Sequence, residues 1–402
     1  MKILMATADH LMIDRRILQE AKSLVSHGHE VTLLAGFECA ARESYVTDGV
    51  RIERFVYDWG DSRFAPWARR MRLKSGTRLN SLAWRAFRYA AARLDFSSFD
   101  KFVFDRLLEY QVDVIHVHDY PMLRAGVELA RFRKVPLVYD AHELYYAQTQ
   151  LPIATQRRYM RRERKWIRYA DRVLTVNPYI AKLMAKQYNI KVPDVILNAA
   201  PLLPRLHVTP LRERFNLTPS MRIVLYQGWI SDNRGIDKLV LAARHFDEGT
   251  VLVIVGYGAY EEVLLKIVEE NGLENRVHFF GGVDSDRLHP ITCDADIGVI
   301  PYFGVDENNH FCSPNKLFEF AIAEIPFICN DLPFLGEIIT RYGNGLAADL
   351  SDPAKIAMEI NRVMNDDELL TRLRQGALVA KQELNWCVEE VKLLAIYGSL
   401  LT

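Results

Sequence analysis

The chain has 402 residues, half of them hydrophobic and a quarter charged. That length exceeds one ordinary core and that balance is typical of a soluble globular protein, so two domains are expected and a disordered or fibrous chain is excluded. Formal net charge is zero, yet the first 200 residues hold 33 Lys and Arg against 22 Asp and Glu, and the remainder 18 against 29; one half is expected to face an anionic partner.

The opening "MKILMATADH" is too short in its apolar run for a signal peptide and reads as a buried first strand. No window approaches the roughly 18 apolar residues of a membrane span. Further short apolar runs follow in order: "EVTLLAG", "DVIHVHD", "PLVYDAH", "RVLTV" and "DVILNA". Helical patterns such as "RRILQEAKSLVSHG" lie between several of them, with Gly28 placed to close the first helix. "NAAPLLPRLHVTP" carries three prolines without periodicity and reads as a linker. The alternation then restarts with "RIVLYQG", "VLVIVG", "RVHFFGG", "DIGVIPY" and "PFICND". Alternating strand and helix implies two doubly wound, mostly parallel α/β domains, 1–200 and 219–385, joined by a linker over 201–218. Ligands of such sheets sit outside the carboxyl ends of the strands, here a shared cleft. The five cysteines (Cys39, Cys293, Cys312, Cys329, Cys387) are scattered and show no CxxC spacing. That argues against a disulfide framework or a zinc site and for a reducing cytoplasm.

"SPNKLFEF", 313–320, places Lys316 and Glu319 in an otherwise apolar helix start. Ser313 is a good N-cap and Pro314 suits the first helical position. A cation in the first turn opposes the helix dipole unless an anion lies between, so Asn315 and Lys316 are candidates for a phosphate and Glu319 for a ribose diol. The plainer alternative is an i,i+3 ion pair worth about 0.2–0.5 kcal/mol. "YQGWISDNRGIDKLV" supplies a second phosphate-cradling loop, with Gly228, Arg234 and Gly235 between strand and helix. Gly256 and Gly258 in "VIVGYG" are a weaker signal, since a lone GxG is more often a tight turn.

In this order, these stretches resemble the GT-B nucleotide-sugar glycosyltransferases, specifically the retaining family 4. "DVIHVHDYP", "VYDAHELY", "RVHFFGGV" and "ADIGVIPY" extend the resemblance over nearly the whole chain. It implies two Rossmann-like domains facing across a cleft, with the closing helix (386–402) packing back on the first. It implies that Arg234 and Lys316 meet the donor diphosphate, Glu319 the ribose, the backbone near Val283 the base, and His118 the sugar side of the cleft. Departures are Phe311 where the family often has a second glutamate, Trp229 where it often has an arginine, and "TADHLMIDRR" in place of a glycine-rich loop.

His116 and His118 share one strand face, with Asp119 at its mouth; His142 and Glu143 end the next strand. His116 is expected in the core. His118, Asp119, His142 and Glu143 are expected to handle sugar and acceptor. Asp294-Ala295-Asp296 matches a metal-binding DxD pattern, but leads straight into a buried strand and reads as turn chemistry. No catalytic metal and no cofactor are expected. Two basic, aromatic-rich segments, 63–96 and 156–172, fit adsorption to an anionic membrane, a solvated helix face being the plain alternative. A nucleic-acid partner would favour the same composition, but the cleft motifs rank it below a membrane. The expectation is a cytoplasmic, peripheral glycosyltransferase. It would move a sugar from a nucleotide diphosphate donor, UDP-sugar before GDP-sugar, to a glycan or lipid-linked acceptor. An epimerase of the same fold and a non-catalytic binding member are the rivals.

Overall fold

The computed structural model describes residues 1–9, 12–57, 98–148 and 150–400. The first sheet holds β1 (Lys2–Ala6), β2 (Glu30–Leu34), β3 (Glu38–Thr47), β4 (Val50–Val56), β5 (Val114–His118), β6 (Leu137–Ala141), β7 (Arg172–Thr175) and β8 (Asp194–Val195). Its helices are α1 (Arg15–Ser26), α2 (Ser98–Leu107), α3 (Asp119–Arg133), α4 (Ile153–Trp166) and α5 (Pro178–Tyr188). The strand order is β3-β4-β2-β1-β5-β6-β7-β8. β5 is buried at every position, as a central strand with helices on both faces must be.

The second sheet holds β9 (Arg222–Gln227), β10 (Thr250–Val255), β11 (Val277–Gly281), β12 (Ile297–Ile300), β13 (Phe327–Cys329) and β14 (Gly345–Ala347), in the order β11-β10-β9-β12-β13-β14. Around it lie α6 (Pro210–Phe215), α7 (Ile236–Ala242), α8 (Glu261–Glu270), α9 (Leu288–Cys293), α10 (Glu307–His310), α11 (Asn315–Ile322), α12 (Pro333–Tyr342), α13 (Pro353–Asn365) and α14 (Asp367–Glu383). Pro201 and Pro204 precede α6 and Pro210 opens it; its Leu211 and Arg212 amides donate to the Asp294 carboxylate at 2.8 and 3.0 Å.

Among the described residues the strand pairings are parallel with one exception. β3 and β4 form an antiparallel hairpin across Asp48 and Gly49, both at positive φ. The Asp-Gly pair is the residue choice such a two-residue turn demands. α1 opens as its residues dictate, with the Asp14 side chain accepting from the Arg16 amide, and Gly28 at φ +82° ends it.

The last helix, α15 (Trp386–Gly398), returns to the first domain. Trp386, Leu393, Ile396 and Tyr397 share a core with Ile17, Ala21 and Leu24 of α1. The indole N–H of Trp386 donates to Ser23 Oγ at 2.8 Å, and the Leu197 amide to the Glu389 carboxylate at 3.0 Å. Trp386→Ala is expected to destabilise the first domain by about 3–5 kcal/mol. A urea midpoint unchanged by circular dichroism would contradict that role for α15.

Candidate active site

The carboxyl ends of the two sheets face each other, and polar contacts cross between the domains. Arg15 Nη1 donates to Glu319 Oε1 at 2.6 Å, Asn308 Nδ2 to Glu143 Oε2 at 2.7 Å, and Tyr146 OH to Glu307 Oε2 at 2.6 Å. Asn177 and Asn198 side chains donate to the carbonyls of Phe311 and Ser313 at 2.7 and 3.0 Å.

On the second domain, Lys316 and Arg234 converge on Tyr302, which lies two residues beyond β12. Lys316 is 4% exposed; its Nζ donates to Tyr302 OH at 2.7 Å and lies 4.3 Å from the ring centre of Tyr226. The Arg234 guanidinium carbon is 4.3 Å from the Tyr302 ring centre, and its Nε has no protein acceptor. Burial and then Tyr302 and Arg234 act on Lys316, and the net effect lowers its pKa. Burial opposes ionisation of the Tyr302 phenol, but Lys316 and Arg234 outweigh it and pull that pKa down. Two cations held together over a phenol and aromatic faces form a site that an anion would complete.

Glu319 stands one turn further along α11. Besides Arg15, it accepts from Gln227 Nε2, whose own Oε1 accepts from Thr292 Oγ1 at 2.9 Å. Arg15, Gln227 and Tyr302 were missed in the sequence. Gln227 and Tyr302 lie at or just past strand carboxyl ends, a signal that was available; Arg15 comes from the other domain and left none.

Glycines keep this surface open. A Cβ on Gly228 would lie 3.3 Å from Lys316 Nζ. The loops after β9 and β10 run side by side, with Gly228 N to Val255 O and Ile230 N to Tyr257 O both at 2.9 Å. A Cβ on Gly256 or Gly258 would sit 1.9 or 2.0 Å from the carbonyl oxygens of Gly228 or Ile230. The GxG therefore serves close backbone approach. Gly235, at φ +70°, begins α7, and Val283 is half-buried beyond β11. One local expectation is corrected: α11 begins at Asn315 with Pro314 as its N-cap, and the Ser313 hydroxyl caps nothing.

On the first domain the expectation for His118 is corrected. Its side chain is fully buried with its ring centre 4.3 Å from that of His116, because both sit on the covered face of β5. Burial pushes its pKa down to about 4. The groups that reach the cleft are His142 and Asp119, with side chains 12% and 24% exposed. His142 Nε2 lies 3.1 Å from both His118 Nδ1 and Asp140 Oδ2, and its amide donates to Asp119 Oδ1 at 2.9 Å. Burial opposes charge on His142, but Asp119 and Asp140 outweigh it and raise its pKa to about 10. Burial pushes Asp119 up to about 7. Asp119 also adopts φ +59°, a left-handed backbone in the strand-to-helix turn. Glu143 is held by Gln148 and Asn308, both at 2.7 Å, and so braces the two domains. Asp140 and Arg16, unremarked in the sequence, form a bidentate pair at 2.8 and 2.9 Å under this cluster.

The carboxylates of Asp294 and Asp296 are engaged by Arg212, Arg374 and backbone amides around α6 and β9. Of the two basic segments, 63–96 lies outside the described residues. The other is α4 and its continuation. Glu163 faces inward to the hydroxyls of Tyr139 and Tyr188, at 2.6 and 2.7 Å. Arg157, Arg158, Arg161, Arg164 and Arg168 are exposed, with Ile153, Phe132 and Tyr169 exposed nearby in the chain or the fold. Among the described residues no helix is long and apolar enough to cross a membrane.

Residues 13–198 match the family model described as glycosyl transferase 4-like domain, and residues 209–378 the one described as glycosyl transferases group 1. The chain is 23% identical to an uncharacterized glycosyltransferase of Methanocaldococcus jannaschii, over 86% of this chain and 83% of that one. It is 22% identical to a glycogen synthase of Mycobacterium tuberculosis, over 91% and 85%. Among solved structures, sucrose-phosphate synthase of Thermosynechococcus elongatus superposes with a TM-score of 0.72 at 18% identity, covering 100% of this chain and 99% of that one. Anabaena HepE, in complex with UDP and glucose, gives a TM-score of 0.73 at 16% identity, over 99% and 100%. Two domain matches that together take in both halves of the cleft, and full-length likeness of fold, place the chain among the GT-B glycosyltransferases of the group 1, family 4-like kind.

Proposed function

We propose that this glycosyltransferase takes its sugar from a nucleotide diphosphate sugar, UDP-linked first and GDP-linked next. The observation that carries the reading is the pair Arg234 and Lys316 closing on Tyr302 beside Glu319. The diphosphate sits on the two cations, where negative charge grows as the glycosidic bond breaks. The ribose diol donates to Glu319, taking the place of the Arg15 guanidinium there, while Gln227 keeps the carboxylate oriented. The loop past Val283 meets the base. The cations at Arg234 and Lys316 supply the stabilisation that other folds draw from a metal ion, so the transfer step proceeds without one. Likeness to a protein solved with UDP and glucose supports the UDP preference.

The acceptor enters from the first domain, its hydroxyl presented to Asp119 and to the His142 imidazolium. It is a glycan or lipid-linked glycan in cell-surface polysaccharide or lipopolysaccharide assembly, and the new bond keeps the donor's configuration. The arginines of α4, with Ile153 and Tyr169 exposed along it, adsorb to the inner face of the cytoplasmic membrane, each cation near the surface contributing about 1 kcal/mol.

Glu319→Ala is expected to weaken nucleotide binding by roughly 10- to 150-fold, the equivalent of about 1.5–3 kcal/mol of charge-assisted hydrogen bonding. Lys316→Ala is expected to lower turnover by about 100- to 1,000-fold. Nucleotide release from a panel of UDP- and GDP-sugars, with and without acceptor, measures both; near-normal rates in either variant contradict the assignment. Sedimentation with anionic vesicles is expected at low salt and should fade as the Debye length falls to about 8 Å near 0.15 M. Failure to sediment at low salt would remove the membrane from the account.

A further inference from the structure

Behind the acceptor side of the cleft, four side chains close on one another in the core of the first domain. They are Glu20 of α1, His116 and His118 of β5, and Asp140 of β6, each at 0% exposure. One ligating atom from each lies within 4.8 Å of all the others. The two histidines alternate along one strand and so project from the same face. Among the described residues, Nε2 of neither ring has a hydrogen-bond partner, and neither has Oε2 of Glu20. A buried polar atom left in that condition costs about 1–3 kcal/mol, and here three occur side by side.

The outer nitrogens of the same rings are engaged. His116 Nδ1 lies 2.9 Å from Tyr397 OH, and His118 Nδ1 3.1 Å from His142 Nε2. Metal-bound imidazoles are held in this manner, one nitrogen fixed by a neighbour and the other turned to the ion. Arg16 clamps Asp140 and lies with its Nε 3.1 Å from Glu20 Oε1. The second oxygen, Oε2, faces His116 Nε2 at 3.7 Å. An ion therefore takes Oε2 and leaves Oε1 to the guanidinium.

We propose that Glu20, His116, His118 and Asp140 form a buried structural site for a divalent first-row transition ion, with zinc the best match. Two imidazoles and two carboxylates give four protein ligands and no open position, the closed coordination of a structural rather than a catalytic centre. The ion ties α1, β5 and β6 together and, through Tyr397, fastens α15 to them. It touches neither donor nor acceptor, although two of its ligands, His118 and Asp140, each place an atom 3.1 Å from His142 Nε2.

The test uses the full chain without a histidine tag, expressed with added zinc. Elemental analysis is expected to find about one equivalent of zinc, and His116→Gln to bring it below about 0.1. Cobalt taken up after chelation is expected to show visible ligand-field bands. Tyr397→Phe, which leaves the four ligands in place, is expected to weaken zinc affinity by about 10- to 100-fold in competition with a chromogenic chelator. Should His116→Gln fail to fold, the wild-type metal content, cobalt spectrum and melting shift decide alone. Wild-type protein with less than about 0.1 equivalent of metal, no cobalt bands, and a melting temperature indifferent to zinc and chelator overturns the site.

Discussion

Lys316 and Arg234 lie against one tyrosine in a place where little water can screen them. Like charges brought together out of solvent raise the free energy of the protein unless a negative group joins them. Much of the second domain is arranged to hold that position. Gly228 leaves room for the lysine, Tyr302 offers a phenol oxygen at 2.7 Å, and the loops past β9 and β10 are laced together so that the arginine's loop cannot spread. Glu319 sits one helical turn from Lys316, so the cation and the carboxylate are presented together by one helix.

The same logic runs differently in the first domain. There the charges are paired before any ligand arrives: Arg16 with Asp140, and His142 with Asp119 and Asp140. Burial of such pairs contributes little net stability, but it fixes orientation. What remains available at the cleft is the imidazole edge of His142 and the Asp119 carboxylate, presented by a strained turn.

Much of this arrangement was legible in the sequence. Continuous apolar runs bounded by turn residues marked the central parallel strands, since a strand covered on both faces leaves little room for polar alternation. The position of Arg234 followed from a polar loop between a buried strand and a helix, and those of Lys316 and Glu319 from the helix start that Ser313 and Pro314 mark. What the sequence hid depends on contacts between distant segments. Arg15 and Glu319 are 304 residues apart, and nothing local marks them as partners. His118 looked like a cleft residue because it ends a strand; only the packing of α1 and β6 shows that its face of the sheet is covered. The β3–β4 hairpin, by contrast, carries its signal locally, in the Asp48-Gly49 turn. Ser313 satisfied every local rule for an N-cap, yet its carbonyl is held by Asn198 and the helix starts one residue later than expected.

The return of α15 has a consequence for how the molecule is made. Trp386, Leu393 and Tyr397 complete a core that also draws on α1 and on β1, β2, β4, β5, β6 and β7. A ribosome must translate the whole second domain in between, about 200 residues and so roughly 10–40 s at about 5–20 residues per second. Through that interval the nascent first half shows an apolar groove along α1 with its own partner not yet synthesised. Holding that groove against wrong partners is a task for the cell's chaperones, set by chain order alone.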